Sequence, residues 1–214
     1  MGNGFRIAMH LDWYFDYISP FAYLQFSLHP DLMQRSDTAL RPVLFAGFLN
    51  EWGNKGPAEI PPKKIHTFRL VAWQAANWGV PLRCPPMHPF NPLHALRLTI
   101  ALGAHYEVVK TIFEFIWRDG RSIADEWQAL LALLYVDNAD VLLGDEKVKA
   151  ALKANGTQAL QAGVFGVPSF VAGKEVFWGE DATGMLRDYL SNPALFDTAE
   201  MKRIAALPVG ASRT

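Results

Sequence analysis

The chain has 214 residues and a net charge of −1, and half of its residues are hydrophobic. This length and composition fit one globular domain, or one domain with a large insertion, around a substantial core. The near-zero charge gives no reason to expect nucleic acid or an acidic membrane surface as a partner, and no apolar stretch reaches the roughly 18 residues of a membrane span.

Cysteine content and the N-terminus indicate the compartment. Cys84 is the only cysteine, so the chain cannot form an internal disulfide, and nothing in it depends on an oxidising environment. Residues 1–10 lack the basic region, apolar run and small-residue cleavage site of a secretory signal. We therefore expect a soluble, cytoplasmic protein.

The first 50 residues predict a β-α-β unit. Residues 11–17 alternate in the way that is typical of a strand. Ser19 followed by Pro20 predicts the start of a helix, because serine is a favoured N-cap and proline is favoured at the first helical position. This helix should run toward His29, and the apolar run over residues 40–45 predicts a second, buried strand.

The middle of the chain predicts helices. Residues 47–62 are rich in glycine, proline and asparagine, which predicts a long loop. Apolar residues then recur at helical spacing, so residues 63–158 are predicted to be entirely helical. The last of these helices should cover residues 145–155 and stop at Gly156.

Strand patterns return near the end. Residues 169–172 and 175–178 flank Gly173-Lys174, a predicted hairpin turn, and a final helix should cover residues 181–190. This order predicts an α/β, thioredoxin-like fold with a large inserted all-helical domain. Residues 1–60 and 160–214 would form the thioredoxin-like domain, and residues 61–159 the insertion.

Three motifs carry a family resemblance. They are DWYFDYISPFAYL at residues 12–24, NKGP and IPPK within residues 54–63, and GVFGVPSF followed by FWGED within residues 163–181. In this order they resemble the 2-hydroxychromene-2-carboxylate isomerases and the kappa-class glutathione transferases, two families of the DsbA-like group. The resemblance extends over residues 11–190 and implies glutathione as cofactor and a homodimer.

Ser19 is the candidate catalytic residue. It lies where redox relatives carry a cysteine, and a serine hydroxyl at a helix N-terminus can donate a hydrogen bond to a thiolate. Lowering a thiol pKa of about 8.5 by two units requires ~2.7 kcal/mol. A charged hydrogen bond gives roughly 1.5–3 kcal/mol and the helix terminus up to ~1 more. The alternative is that Ser19 is only an N-cap.

A dithiol redox role is excluded at this position. A Cys-x-x-Cys pair would occupy positions 19 and 22, but Ala22 follows Ser19 at that spacing. Without paired thiols there is no dithiol–disulfide cycle. Any sulfur chemistry must therefore come from a bound thiol.

The resemblance also implies the residues that bind glutathione. Val167 would hold the cysteinyl backbone, and Pro168 would be preceded by a cis peptide bond. Asn54 and Lys63 would contact the ligand, whose two carboxylates suit a lysine. The alternative for Pro168 is a proline that starts a strand after an ordinary loop. The alternative for Lys63 is a basic helix end that is exposed to solvent.

The γ-glutamyl end of glutathione would lie at Glu180 and Asp181, with Asp181 beside the amine; the alternative for Asp181 is a simple N-cap. Three residues depart from the family pattern: His66 replaces a frequent Tyr, Glu180 a Gln or Ser, and Ala182 a common Arg. These departures indicate either a different acceptor substrate or a weakened glutathione site.

No metal site is expected. His88 and His94 lack the spacing of metal ligands, and one cysteine cannot complete a zinc cluster. Cys84 is interpreted as incidental.

The functional hypothesis is glutathione-dependent cis-trans isomerisation of a small aromatic keto acid, 2-hydroxychromene-2-carboxylate, during aromatic catabolism. One alternative is a kappa-like transferase or peroxidase that acts on another electrophile. The other is a glutathione-binding protein that has lost its chemistry.

Overall fold

A mixed sheet of four strands lies at the centre of residues 9–211, the part of the chain that the computed structural model describes. The strand order is β2-β1-β3-β4. β1 (Leu11–Phe15) runs parallel to β2 (Thr38–Pro42) and antiparallel to β3 (Ser169–Ala172), which pairs with β4 (Glu175–Trp178). β3 and β4 have the predicted bounds, and Gly173 takes a positive φ of 63° between them.

Helices make up most of the remainder. They are α1 (Pro20–Leu28), α2 (Pro30–Met33), α3 (Phe45–Trp52), α4 (Pro61–Trp78), α5 (Leu93–Ala101), α6 (Tyr106–Phe113), α7 (Trp127–Leu133), α8 (Ala139–Gly144), α9 (Glu146–Gln161), α10 (Thr183–Ser191) and α11 (Ala199–Ala205). A π-helical turn, Glu114–Arg118, extends α6, and 3-10 turns cover Pro57–Glu59, Glu180–Ala182 and Leu195–Asp197. The predicted α/β class with a helical insertion is confirmed.

An aromatic core joins the insertion to the sheet. Trp13 and Phe15 of β1 stack with their ring centroids 4.5 Å apart, and Tyr17 meets Phe113 of α6 edge-on at 4.7 Å. All four rings are buried. Aromatic pairs of this kind stabilise the fold beyond the area that they bury, so the two parts of the fold share one core.

The other face of the sheet packs against α9. Ala159 of this helix lies in a buried cluster with Tyr14 and Val171 from two strands. Asn155 Nδ2 also donates to the carbonyl of Pro42 at the end of β2, at 3.0 Å. α9 therefore crosses the proposed domain boundary between residues 159 and 160, and the domain limits remain a proposal.

Several predicted bounds were wrong near residue 47. The second strand begins and ends earlier than predicted, and the expected loop over residues 47–62 contains most of α3 and a 3-10 turn. α3 starts at Phe45 because the buried carboxylate of Asp16 accepts its N–H at 2.9 Å, a contact between distant residues. Gly53 then ends α3 in the left-handed conformation that glycine favours.

The bounds of α9 and α10, the helices on either side of the β3–β4 hairpin, also differ from the prediction. Gly156 does not stop α9, which continues to Gln161 because Ala159 is buried against the sheet. α10 starts at Thr183, after a 3-10 turn, with Ala182 rather than Asp181 at the N-cap.

Candidate active site

The N-terminus of α1 forms the centre of the site. Ser19 is its N-cap, with extended backbone angles, and its Oγ accepts the N–H of Ala22 at 3.2 Å. The first helical residue is Pro20, and the N–H of Phe21 has no hydrogen-bond partner among residues 9–211. This end of the helix therefore offers a hydroxyl and an open backbone donor, a combination that favours an anion.

Val167 lies opposite Ser19. Its peptide bond to Pro168 is cis, as the family resemblance implies. The hydroxyl of Ser19 points to the Val167 carbonyl at 3.5 Å, which is long for a hydroxyl donor. The N–H of Val167 has no partner within the described part of the chain, although the residue is only 9% exposed. Within residues 9–211, the Ser19 hydroxyl therefore has only a long contact as a donor, and the Val167 amide has no hydrogen bond.

The turn after β4 is fixed beside the cis-proline. Gly179 donates its N–H to the carbonyl of Pro168 at 2.9 Å. Gln25 of α1 donates from Nε2 to the Gly179 carbonyl and to Thr183 Oγ1, both at 2.9 Å. The turn that carries Glu180 and Asp181 is therefore bonded to Pro168 through Gly179, and ligand contacts by these two residues stay a prediction.

No hydrogen bond joins Asn54 or Lys63 to this cluster within the described part of the chain. Both are exposed, Asn54 after α3 and Lys63 in the first turn of α4, and neither side chain has a hydrogen bond within residues 9–211. The adjacent Lys64 does contact the site region, because its Nζ donates to the carbonyl of His88 at 2.6 Å. Glutathione contacts by Asn54 and Lys63 stay a prediction.

Two side chains of the insertion hold the loop before Ser19. Trp117 Nε1 donates to the carbonyl of Tyr17 at 2.8 Å, and His88 Nε2 bonds the carbonyl of Ile18 at 2.9 Å. Because a carbonyl can only accept, the His88 proton is on Nε2, and Nδ1 is left as a buried acceptor without a partner among residues 9–211. Neither residue is identifiable from the sequence, since both are distant from residue 19 along the chain.

Burial keeps His88 neutral. Desolvation, assisted by the nearby charge of Lys64, lowers the pKa of the imidazole, against the opposing effect of its hydrogen bond to Ile18. The loop is therefore held by a neutral donor at neutral pH.

Asp16 is a buried carboxyl group three residues before Ser19. It is 1% exposed, and its two oxygens accept the N–H groups of Ile18 at 3.1 Å and Phe45 at 2.9 Å. Burial raises its pKa to about 7, although these backbone bonds lower it. Asp16 thus ties the Ser19 loop to α3 and titrates near neutral pH.

The remaining features to consider in residues 9–211 are metal-binding clusters, membrane-spanning helices and Cys84. They contain no cluster of three or more His, Cys, Asp or Glu side chains able to hold a metal ion, and no helix among them is long and apolar enough to cross a membrane. Cys84 is exposed, and partial burial raises the pKa of its thiol. Such a thiol is less ionised than a free one, which argues against a nucleophilic role.

Comparisons with known proteins agree with this geometry. A family model described as a DsbA-like thioredoxin domain matches residues 10–191. The 2-hydroxychromene-2-carboxylate isomerase of Sphingobium xenophagum is 32% identical over 190 residues, covering 84% of this chain and 97% of that protein. Glutathione S-transferase kappa 2 of Caenorhabditis elegans is 26% identical over 206 residues, covering 85% of this chain and 91% of that protein.

A solved structure of a 2-hydroxychromene-2-carboxylate isomerase has the same fold. It covers 90% of this chain and 99% of its own, with a TM-score of 0.76 and 23% identity.

Proposed function

We propose that this chain, which belongs to the DsbA-like thioredoxin domain family and within it to the 2-hydroxychromene-2-carboxylate isomerases, is a glutathione-dependent isomerase. The proposed reaction interconverts 2-hydroxychromene-2-carboxylate and trans-o-hydroxybenzylidenepyruvate. The observation that carries the proposal is the Ser19 hydroxyl at the N-terminus of α1, which has only a 3.5 Å contact to the carbonyl of Val167, a residue whose N–H has no partner within the described chain.

The residues present fit a cysteinyl peptide. The N–H and carbonyl of Val167 can pair with the backbone of the ligand's cysteine, as neighbouring strands pair. A cysteinyl thiol held in this way would lie over Ser19 and the open N–H of Phe21. This arrangement supports a thiol ligand more directly than any other feature of the site.

Ser19 would stabilise the thiolate. Its Oγ already accepts the Ala22 N–H, so the hydroxyl proton can turn from the Val167 carbonyl toward sulfur. A charged hydrogen bond of roughly 1.5–3 kcal/mol, with up to ~1 kcal/mol from the helix terminus, is enough to lower a thiol pKa by about two units. When bound, glutathione supplies a nucleophile that adds reversibly to the conjugated double bond, so that the bond can rotate and the cofactor is not consumed.

The ends of the cofactor would be held by charge. Glu180 and Asp181 would receive the γ-glutamyl amine, and Lys63, assisted by Asn54, would meet a carboxylate. The exposed position of Lys63 in the first turn of α4 suits this role, because a cation there opposes the helix dipole and gains from a nearby anion.

A second candidate is a kappa-like glutathione transferase or peroxidase. It is favoured by the relationship to the kappa-class enzymes, which extends over most of the chain. Both candidates would use the same Ser19 site. They differ in the electrophile and in the fate of glutathione, which the isomerase would release unchanged and the transferase or peroxidase would consume. A homodimer and a cytoplasmic location, where glutathione is the principal thiol buffer, complete the proposal.

Turnover with two electrophiles tests the proposal. The purified protein with glutathione should interconvert the chromene and the trans-benzylidenepyruvate, and Ser19→Ala should lose most of that activity. Ser36→Ala, at an exposed serine, is the matched control and should keep it. Conjugation of a chlorinated aromatic without isomerisation would select the transferase, and no turnover of the chromene by the wild type would contradict the proposed isomerase.

A further inference from the structure

A cavity of about 550 Å³ lies at the edge of the sheet, along β2. One wall is formed by residues 33–35, at the end of α2, and by residues 38–41 of β2. The opposite wall is formed by residues 103–107, the turn between α5 and α6. In the described part of the chain, β2 has β1 as its only strand neighbour. This space, which we call the β2-edge groove, has a volume typical of ligand-binding sites.

The backbone of Leu40 faces the groove unpaired. Leu11 donates its N–H to the carbonyl of Asp37 at 2.9 Å, which sets the register of β1 against β2. Because alternate residues of a strand direct their backbone groups to opposite sides, Ala39 and Arg41 pair with β1 and Leu40 points away from it. Neither backbone group of Leu40 has a hydrogen bond to another element among residues 9–211, although the residue is only 8% exposed.

The neighbouring backbone groups limit the length of the open edge. Thr38 donates its N–H to the carbonyl of Arg35 at 3.1 Å, which leaves its own carbonyl without a partner among residues 9–211. Pro42 has no N–H, and its carbonyl accepts Asn155 Nδ2 at 3.0 Å. The groove therefore offers one donor and two acceptors, which match three residues of an added antiparallel strand. Since an unpaired and largely buried backbone group costs free energy, a strand that pairs with Leu40 gains more than it would at a solvated edge.

Cationic side chains line the groove. Arg35 and Arg41 belong to its walls, whereas Asp37 and Asp12, the carboxylates that pair with them, do not. Arg41 uses Nε for this pair, at 2.7 Å, and its two Nη groups have no hydrogen bond within the described residues. Glu107 is the only carboxylate among the lining residues, and its side chain is 77% exposed. An acidic group can thus pair with Arg41 without displacing Asp12.

We propose that the β2-edge groove binds an extended segment of a partner protein, which adds to the sheet as a strand beside β2. The segment residue opposite Leu40 is apolar, because it lies on the same face of the sheet as Leu40, where Tyr106 packs. The next residue is acidic, because it points to the other face, where Arg41 lies in register with Tyr14.

A single segment fits the groove better than the sheet edge of a second copy, because the turn between α5 and α6 stands opposite β2 as a second wall. The proposal is independent of the proposed function, since none of the residues that form the Ser19 site lines the groove.

Three blocked peptides test the proposal in nuclear magnetic resonance titrations of the isotope-labelled full chain. They are acetyl-Glu-Val-Glu-amide, acetyl-Gln-Val-Gln-amide and acetyl-Lys-Val-Lys-amide. The glutamate peptide should shift the amide signals of residues 38–41 and 103–107, with a Kd at least about fivefold below that of the glutamine peptide. The lysine peptide should bind more weakly than both. Methylation of the valine nitrogen removes the donor to the Leu40 carbonyl and should raise the Kd of the glutamate peptide at least about fivefold.

Matched variants separate charge recognition from a loss of stability. Arg41→Gln should reduce the preference for the glutamate peptide over the glutamine peptide. Arg69→Gln, which removes an exposed cation from α4, should leave this preference unchanged. The preference is a ratio of two Kd values measured on one variant, so a general loss of stability does not alter it.

Three results would overturn the proposal. They are the absence of shifts in residues 38–41 with every peptide at millimolar concentration, equal Kd values for the glutamate and lysine peptides, and shifts of these residues that depend on protein concentration without peptide. The last result would assign the groove to a second copy of the chain. None of the three affects the proposed isomerase, which is tested by turnover of the chromene.

Discussion

The imidazole of His88 donates from Nε2 to the carbonyl of Ile18, the residue before Ser19, at 2.9 Å. His88 belongs to the segment between α4 and α5, and its ring lies among Phe68, Phe90 and Trp117. The helical insertion therefore does more than cover the thioredoxin-like part, because it fixes the backbone from which the Ser19 hydroxyl projects.

His88→Phe tests this contact. The phenyl ring keeps the aromatic packing but leaves the Ile18 carbonyl without its donor, which should lower the free energy of unfolding by about 1–3 kcal/mol. Urea denaturation measures the change, and His94→Phe, at a ring that contacts Trp127, is the control. Equal stability of wild type and His88→Phe would show that the bond does not contribute.

Asp16 predicts a pH-dependent stability. Its folded pKa of about 7 is above the ordinary value of 3.8, so the folded state holds the proton more tightly than the unfolded state. The protonated carboxyl group of Asp16 therefore stabilises the folded state fully below pH 3.8, and this stabilisation is lost as the pH rises through about 7. Between these limits, wild type should lose stability relative to Asp16→Asn by up to about 1.4 kcal/mol per pH unit. A difference that stays constant in urea titrations from pH 4 to 8 would contradict this.

Replacement of Gly179 and of Gly184 by alanine should change the stability of the protein in opposite directions. Gly179 has a φ of 88°, a backbone conformation that residues with a Cβ rarely adopt, so Gly179→Ala should destabilise the protein by at least about 1 kcal/mol and weaken glutathione binding. Gly184 is within α10 with open space around it, so Gly184→Ala should stabilise by about 0.5–1 kcal/mol. Thermal unfolding measures both, and destabilisation of similar size at the two sites would be inconsistent with these backbone differences.

The adjacent lysines of α4 should have separable roles. Lys63→Gln should raise the Kd of glutathione without changing stability, because its side chain has no partner within residues 9–211. Lys64→Gln should lower stability, because Nζ would no longer donate to the His88 carbonyl. The reverse assignment, with glutathione affinity changed only by Lys64→Gln, would show that the wrong lysine has been placed in the site.

Local patterns predicted the parts of the fold that depend on local chemistry. The Ser19-Pro20 helix start and the hairpin around Gly173 are at the predicted positions, because capping and turn preferences act over a few residues. The helix at Phe45 was missed, since its first N–H is bonded by Asp16 from another element.

The site was predictable only where a motif marks it. Ser19, Val167 and Pro168 come together as the family resemblance implies. No local pattern predicts the other contacts, because each joins residues that are 70 or more positions apart. They are the hydrogen bonds donated by His88 and Trp117 and the contact between His29 and Glu180.

The central claim is that Ser19 stabilises a bound thiolate. The most direct test follows the near-ultraviolet absorbance of the thiolate against pH for glutathione bound to wild type and to Ser19→Ala. The bound thiol in wild type should titrate about two pH units below the free-thiol pKa of about 8.5, and Ser19→Ala should remove at least about one unit of that shift. Wild type that binds no glutathione, or whose bound thiol titrates like free glutathione, would contradict the claim.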